Sequence, residues 1–203
     1  MNTEQKINEI RELQTKDGPE SAVEIAVFLE DEDYMVKLIA IQTLGEFPLS
    51  DEIKSILLPW TEHLEEEIRH QTLEALWGYT GDDVFRAVVS RLKDSEELVR
   101  MSAVETLGEM RDPRAEEFLI KALKDEDELV RRFAAEGLGK LGTDTVIPVL
   151  LTYLQKETSS TAKVGFYIEL YLLGYKIYLK SLLNLLKDPA ITLGVLSPIT
   201  LSI

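Results

Sequence analysis

The sequence contains no cysteine, only two histidines and no long apolar run. Without thiols it can form no disulfide framework, no thiolate zinc site and no cysteine nucleophile, as is typical of a reducing compartment. The N-terminus lacks the basic start, apolar middle and cleavage site of a secretory signal, and no segment reaches the roughly 18 apolar residues of a membrane span. We therefore expect a soluble, cytoplasmic protein.

Basic residues are scarce beside acidic ones. The 203 residues include 22 Lys and Arg against 37 Asp and Glu, for a net charge of −15. Such a surplus repels phosphate backbones and anionic lipid surfaces, so we expect neither nucleic acid nor membrane as a partner. The charge is uneven, because residues 158–203 carry +2 and residues 1–157 carry −17.

Groups typical of catalytic or metal sites are also few. His63 and His70 have no HExxH context and no serine elbow, and no glycine-rich phosphate loop is present. Acidic residues are so common that no pair stands out as an acid–base couple. The pattern favours a non-enzymatic protein without catalytic residues, metal or cofactor.

What the sequence does contain is a repeat of about 31 residues. The segment "EELVRMSAVETLGEMR" at 96–111 returns as "DELVRRFAAEGLGKLG" at 127–142. Further copies are spaced by 31 or 32 residues, and their first aligned positions are Val36, Ile68, Val99, Val130 and Ala162. Residues four and eight positions later continue one helical stripe, and another helix-periodic segment precedes each copy. Each repeat therefore predicts two helices.

A helical pair of this length cannot bury its apolar stripe alone, whereas stacked pairs share one extended core. The sequence predicts an all-α fold, a right-handed α-α superhelix of the HEAT/armadillo-like solenoid class with about five two-helix repeats. We expect a single domain over 1–203, with a capping helix in 1–18, repeats in 19–188 and an apolar tail in 189–203. A closed helical bundle is the alternative, but it would require no fixed period.

The segments "LKDSEELVRMSAVETLGEM" and "LKDEDELVRRFAAEGLGKL" resemble HEAT-like repeat proteins of the short bacterial type first noted in phycobilin lyases. The resemblance covers about residues 19–188. It implies a ladder between adjacent repeats, built from a turn acid and a cation six residues later. The matching positions are Asp31 with Lys37, Asp94 with Arg100, Asp125 with Arg131 and Glu157 with Lys163. The second repeat departs from the pattern, because His63 stands before Arg69.

In such a superhelix the second helices line the concave side, where partners usually bind. At about 100° per residue, positions two, six, nine and ten after the aligned valine face that side. The candidate partner-binding residues are Gln42, His70, Glu74, Trp77, Met101, Glu105, Glu109, Arg132, Glu136 and Lys140. The glutamates among them predict an acidic row, which either recognises a basic partner or is merely solvated.

Two features of this face have alternative interpretations. Trp77 is either a binding anchor or packs on Tyr79 or Trp60. Glycine occupies position nine in three repeats, at Gly45, Gly108 and Gly139. Because glycine weakens a helix, this recurrence suggests close backbone approach or early helix termination.

The tail from Pro189 to Ile203 contains no charged side chain. It either caps the last repeat or mediates self-association. Its β-branched residues make an extended or short hairpin tail plausible; they include Ile191, Thr192, Val195, Ile199 and Thr200.

Together these features predict a non-enzymatic scaffold or inhibitor that grips a protein with a basic patch through its acidic concave surface. A bacterial immunity protein or an adaptor would fit. The resemblance also implies an alternative, a phycobilin lyase-like enzyme with an apolar slot around Trp77, Tyr79 and Met101. A HEAT-like DNA glycosylase would need a cationic groove, which the glutamate row opposes.

Overall fold

The computed structural model describes residues 1–16 and 18–195, and all regular structure in these ranges is helical. The chain divides into two compact units, Met1–Thr106 and Leu107–Ile203, with the boundary inside helix α7 (Glu97–Glu109). None of the described helices is long and apolar enough to cross a bilayer. The all-α class predicted from the repeat is confirmed, while the assignment of one domain stays a prediction.

Unit 1 begins with α1 (Thr3–Gln14), which starts at a capping box between Asn2 and Gln5 and packs against α3. Each repeat then pairs a shorter first element with a second helix. The first elements are α2 (Pro19–Ala26) with a 3-10 turn (Val27–Glu30), α4 (Asp51–Leu57) with a 3-10 turn (Leu58–Glu62), and α6 (Asp82–Arg91). The second helices are α3 (Tyr34–Gly45), α5 (Glu66–Ala75) and the first part of α7.

Unit 2 continues the same pairing. Helix α9 (Glu128–Leu141) is capped by Gly142, whose φ of 63° is the left-handed conformation that glycine adopts readily. Helix α11 (Ser160–Leu172) packs against both α9 and α12 (Tyr178–Leu185). The elements are a 3-10 turn (Pro113–Ala115) leading into α8 (Glu116–Ala122), α9 (Glu128–Leu141), α10 (Val146–Leu154), α11 (Ser160–Leu172), α12 (Tyr178–Leu185) and α13 (Pro189–Val195).

The core of each unit follows the stripe expected from the repeat. The aligned positions are at most 1% exposed, and the leucines eight residues later are fully buried. The aligned positions are Val36, Ile68, Val99, Val130 and Ala162, and the leucines are Leu44, Leu76, Leu107, Leu138 and Leu170. This stripe faces inward, so the opposite positions of the second helices remain for other contacts.

The described part of the tail is helical, so the expected extended or hairpin conformation is wrong for residues 189–195. Helix α13 forms because the Asp188 carboxylate accepts a hydrogen bond from the Ala190 backbone N–H at 2.9 Å, with Pro189 at the first helical position. Ile191 packs against a small cluster around Val164 and Leu182. Ile199 and Thr200 lie outside the described residues.

Candidate protein-interaction surfaces

An arginine at the start of α5 joins two neighbouring repeats of unit 1. Arg69 donates from Nε and Nη2 to the two carboxylate oxygens of Asp94, at 2.8 and 2.6 Å. Its Nη1 donates to the carbonyl oxygens of His63 and Leu64, in the turn before its own helix. One guanidinium therefore holds its own turn and the turn of the next repeat.

The same arrangement occurs in unit 2. Arg131 donates to both carboxylate oxygens of Glu157, at 2.7 and 3.0 Å, and its Nη1 donates to the carbonyls of Asp125 and Glu126. Burial is the largest influence on the pKa of Glu157 and raises it, but hydrogen bonds from Arg131 and two backbone N–H groups outweigh it, so the pKa is lowered. The carboxylate therefore stays charged.

These contacts show how the ladder positions are used. Arg69 and Arg131 each form an ion pair with the turn acid of the following repeat. Each also donates hydrogen bonds to backbone carbonyl oxygens in the turn of its own repeat. Arg100 Nη1 donates to the carbonyls of Asp94 and Ser95 in its own turn. Asp31 in turn pairs with Lys6 on α1, whose Nζ lies 2.7 Å from a carboxylate oxygen of Asp31.

Aromatic groups replace one contact of the ladder, the ion pair that Lys37 would make with an acid at position 63. His63 Nδ1 accepts the backbone N–H of Glu65 at 3.1 Å, which is the capping role that aspartate has in other turns. The Trp60 ring stacks on His63 with centroids 5.5 Å apart, and Lys37 Nζ lies 5.4 Å from the Trp60 ring. Burial lowers the pKa of His63, and the charges of Lys37 and Arg69 add to the shift. His63 is thus kept neutral as an acceptor, and a cation–π contact takes the place of an ion pair.

The polar ends of α3 and α5 form an exposed surface in unit 1. Gln42, Glu46 and Glu74 are exposed, and Trp77 is 50% exposed. Leu49, 58% exposed, lies against the backbone at Gly78, where a Cβ atom would be 3.3 Å from its Cδ1. Polar side chains and two large apolar groups are therefore available to a partner.

The two aromatic partners considered for Trp77 make other contacts. Trp60 stacks on His63 instead, and Tyr79 is buried with its hydroxyl accepting the Ser50 backbone N–H at 3.3 Å. The half-exposed ring favours the interpretation of Trp77 as an anchor. Because Tyr79 is only 6% exposed, it offers little surface to the bilin slot expected beside it.

The remaining candidates of unit 1 lie partly inside. His70 Nδ1 is 2.6 Å from the Ser102 hydroxyl, and its Nε2 is 3.8 Å from a carboxylate oxygen of Glu74. Met101 and Glu105 are half-buried. His70 therefore links α5 to α7 within unit 1, and its predicted binding role stays a prediction.

The candidates of unit 2 are engaged with one another. Arg132 Nε donates to Glu136 at 2.8 Å, and Lys140 pairs with Glu109. Both were predicted on the partner-binding face, yet Arg132 is only 2% exposed and Glu136 8%, so neither side chain lies open on that face. The reason is close packing of α11, where a Cβ atom on Gly165 would lie 2.6 Å from the Arg132 carbonyl oxygen. The predicted binding role of Arg132 and Glu136 stays a prediction.

Small residues allow successive second helices to touch. A Cβ atom on Gly45 would lie 2.8 Å from the Cβ of Ala75, and one on Gly108 would lie 2.6 Å from the Cα of Gly137. Atoms do not approach so closely without displacement, so these positions exclude larger side chains. Gly45 and Gly108 therefore mark close backbone approach, whereas Gly139 faces the side chain of Glu169.

Comparison with known proteins agrees with this geometry. Residues 54–120 and 85–170 match the family model for HEAT repeats, so the matched segments cover more than half of the chain. The chain belongs to the HEAT-repeat family. Its HEAT fold is similar to the crystal structure of an engineered protein from the Northeast Structural Genomics Consortium, with a TM-score of 0.54, 18% identity and coverage of 84% of this chain and 91% of that one.

A second solved structure, YibA from Escherichia coli, gives a TM-score of 0.46 with 18% identity over 84% of this HEAT chain and 93% of YibA. At 18% identity the likeness to the engineered protein shows the fold alone. No curated protein sequence matches this HEAT chain significantly.

One residue of the last HEAT repeat was missed by sequence reasoning. Glu169 on α11 is only 7% exposed, and burial, with the nearby charge of Glu136, raises its pKa to about 7. The signal was present in the sequence. Seven residues after the aligned position the other repeats have small residues, namely Thr43, Ala75, Thr106 and Gly137. A glutamate in that place breaks the pattern.

Proposed function

We propose that this chain is a protein-binding scaffold whose acidic unit 1 holds a protein segment that carries a basic patch. HEAT repeats generally serve as protein-interaction scaffolds, which supports the general part of the proposal. The observation that carries the specific part is the half-exposed Trp77 in the unit that holds nearly all of the surplus negative charge.

The charge of the chain supports unit 1 as the binding part. Unit 1 contains 24 acidic and 10 basic residues, net −14, whereas unit 2 contains 13 acidic and 12 basic residues, net −1. Nearly the whole surplus of negative charge therefore belongs to one unit. A field of this sign speeds the encounter with a cationic partner and disfavours acidic ones.

The surface around Trp77 has the composition of an interaction site. Trp77 and Leu49 supply exposed apolar area, and Glu46 and Glu74 supply exposed charge at the ends of α3 and α5. Tryptophan is enriched among the residues that dominate binding energy, and its face attracts an arginine or lysine cation. A segment that combines apolar and basic side chains would satisfy both parts of this surface.

Site-specific photo-cross-linking in the native host tests the proposal. A benzophenone amino acid would replace Trp77 in one variant and Leu64, which is 94% exposed in the same unit, in the control. We expect a protein cross-linked from position 77 and not from position 64, with the cross-linked peptide rich in Lys and Arg. Equal products at both positions, or an acidic peptide at position 77, would contradict the proposal.

The captured partner also distinguishes the two finer roles. An immunity protein would capture one basic toxin, and the toxin's activity would fall when the complex forms. An adaptor would capture a component of a larger assembly without inhibiting it. Both roles use the same acidic surface, so the cross-linking experiment serves both.

A further inference from the structure

The junction between α9 and α11 differs from the preceding junction of unit 2 by a buried glutamate. Between α7 and α9, Gly108 meets Gly137, so both helices supply a glycine. Between α9 and α11, Gly139 meets Glu169, and a Cβ atom on Gly139 would lie 2.5 Å from the Glu169 Cγ. The glutamate side chain therefore occupies the space that opens over the glycine.

Glu169 lacks the cation that its neighbours have. Glu136 pairs with Arg132, and Glu109 pairs with Lys140. Glu169 is more than nine-tenths buried, yet within the described part of unit 2 its carboxylate receives no hydrogen bond and no ion pair. An ionised carboxylate in such a place is costly unless a proton or a cation neutralises it.

The charges around Glu169 favour a positive ligand. Those that act on its titration, among the described residues, are Glu136 and Lys140 on α9 and Glu109 at the end of α7. The pKa of Glu169 is raised to about 7, mainly by burial and further by the charges of Glu136 and Glu109, while the Lys140 ammonium opposes the shift. Near neutral pH the carboxyl group therefore holds a proton about half of the time.

The groups around Glu169 differ in their exposure to solvent. The side chains of Lys140 and Glu109 are 29% and 23% exposed, while those of Glu136 and Arg132 are 11% and 2% exposed. Lys140 and Glu109 are therefore more exposed to solvent than Glu136 and Arg132. Among the described residues no fully buried side-chain oxygen lacks a hydrogen-bond partner, so the unpartnered Glu169 carboxylate retains contact with solvent. The described residues contain no group of three or more acidic or histidine side chains placed to hold a metal ion.

We propose that Glu169, together with Glu136, binds the ammonium or guanidinium group of one Lys or Arg side chain of the partner. This inference rests on the proposed function, since it requires a basic protein partner, and it adds a contact in unit 2. On binding, the carboxylic acid of Glu169 releases its proton to solvent, and the carboxylate so formed pairs with the incoming cation. One proton is released for each cation bound by a protonated site.

Nuclear magnetic resonance of the full chain with carbon-13 glutamate tests the proposal. The probes are the peptide acetyl-Gly-Arg-Gly-amide and its citrulline counterpart, which has the same shape without the charge. Glu169→Gln identifies the Glu169 signal by its loss, and Glu117→Gln, at an exposed position in the same unit, is the matched control. Each protein is titrated with pH, with and without peptide.

We expect the Glu169 carboxyl to titrate near 7 alone and at lower pH with the arginine peptide, but not with the citrulline peptide. Because one proton is displaced, the arginine peptide should bind about tenfold more tightly at pH 8 than at pH 6. Glu169→Gln should remove this dependence, whereas Glu117→Gln should keep it. An unchanged titration midpoint, an equal effect of both peptides, or full affinity in Glu169→Gln would overturn the proposal.

The outcome is separable from that of the proposed function. Trp77→Ala should weaken capture of the partner through unit 1 and leave the titration of Glu169 with the arginine peptide unchanged. A normal Glu169 response without a basic partner at position 77 would refute the proposed function alone. A basic partner captured at position 77, with a Glu169 that ignores the arginine peptide, would refute the present inference alone.

Discussion

Replacing Asp94 by Asn should destabilise unit 1 by about 3 kcal/mol. The side chains of Arg69 and Asp94 are 10% and 5% exposed, so the pair is shielded from solvent. Removing one charge from a buried pair typically costs about 3 to 5 kcal/mol, because the other charge stays buried without its partner. Asparagine keeps one oxygen acceptor for Arg69 or for the Glu96 backbone N–H, which places the expected loss at the lower end.

Urea unfolding followed by tryptophan fluorescence measures this loss, because both tryptophans, Trp60 and Trp77, lie in unit 1. The matched control is Asp51→Asn in the same unit. Asp51 also pairs with a cation, Lys54, but its side chain is 96% exposed, so the loss should stay below about 1 kcal/mol. If Asp94→Asn cost no more than Asp51→Asn, the ladder would not hold the repeats together and the reasoning would be refuted.

Three further predictions concern packing and protonation. Gly108→Ala should destabilise unit 2 by roughly 1 to 3 kcal/mol in urea unfolding, because the new methyl group would collide with Gly137. The lowered pKa of His63 means that stability falls as pH drops below about 6.5; His63→Asn, which can still accept the Glu65 N–H, should remove that loss between pH 7.5 and 5. The raised pKa of Glu169 means that stability falls as pH rises from about 4.5 to 7, so Glu169→Gln should gain roughly 3 kcal/mol at pH 8 and nothing at pH 4, as followed by circular dichroism.

The helical pairs could be predicted from the sequence because their cause is local and periodic. A residue such as Val130 recurs with its companions at fixed offsets, and burying that stripe requires the neighbouring repeat. The expected close approach at Gly108 had the same origin, since the same small residue recurs at the same place.

Side-chain exposure was harder to predict, because it depends on the element that lies opposite. Positions Gln42 and Glu74 are exposed as the helical geometry suggests, yet Glu136 at the equivalent position is buried, as is Arg132 one turn before it. The difference comes from α11, where Gly165 admits the α9 backbone. A period derived from one helix does not contain this information.

The spacing alone also did not show which acidic residue pairs with which cation. Arg69 lies six residues after a histidine, which seemed to break the ladder, but its acidic partner is Asp94 of the next repeat. The acid position of one repeat serves the cation of the repeat before it. The histidine at position 63 therefore removes the acidic partner of Lys37, which contacts the Trp60 ring instead. The ion pair of Arg69 with Asp94 is not affected.

The central claim, that Trp77 and the acidic charge of unit 1 hold a basic protein segment, is tested most directly by calorimetry with the captured partner. Affinities of the wild type, Trp77→Ala and Leu64→Ala should be compared at about 50 and 200 mM salt. The account predicts at least about tenfold weaker binding for Trp77→Ala, no change for Leu64→Ala, and weaker binding of the wild type at the higher salt. Equal affinities for all three proteins at both salt concentrations would contradict it.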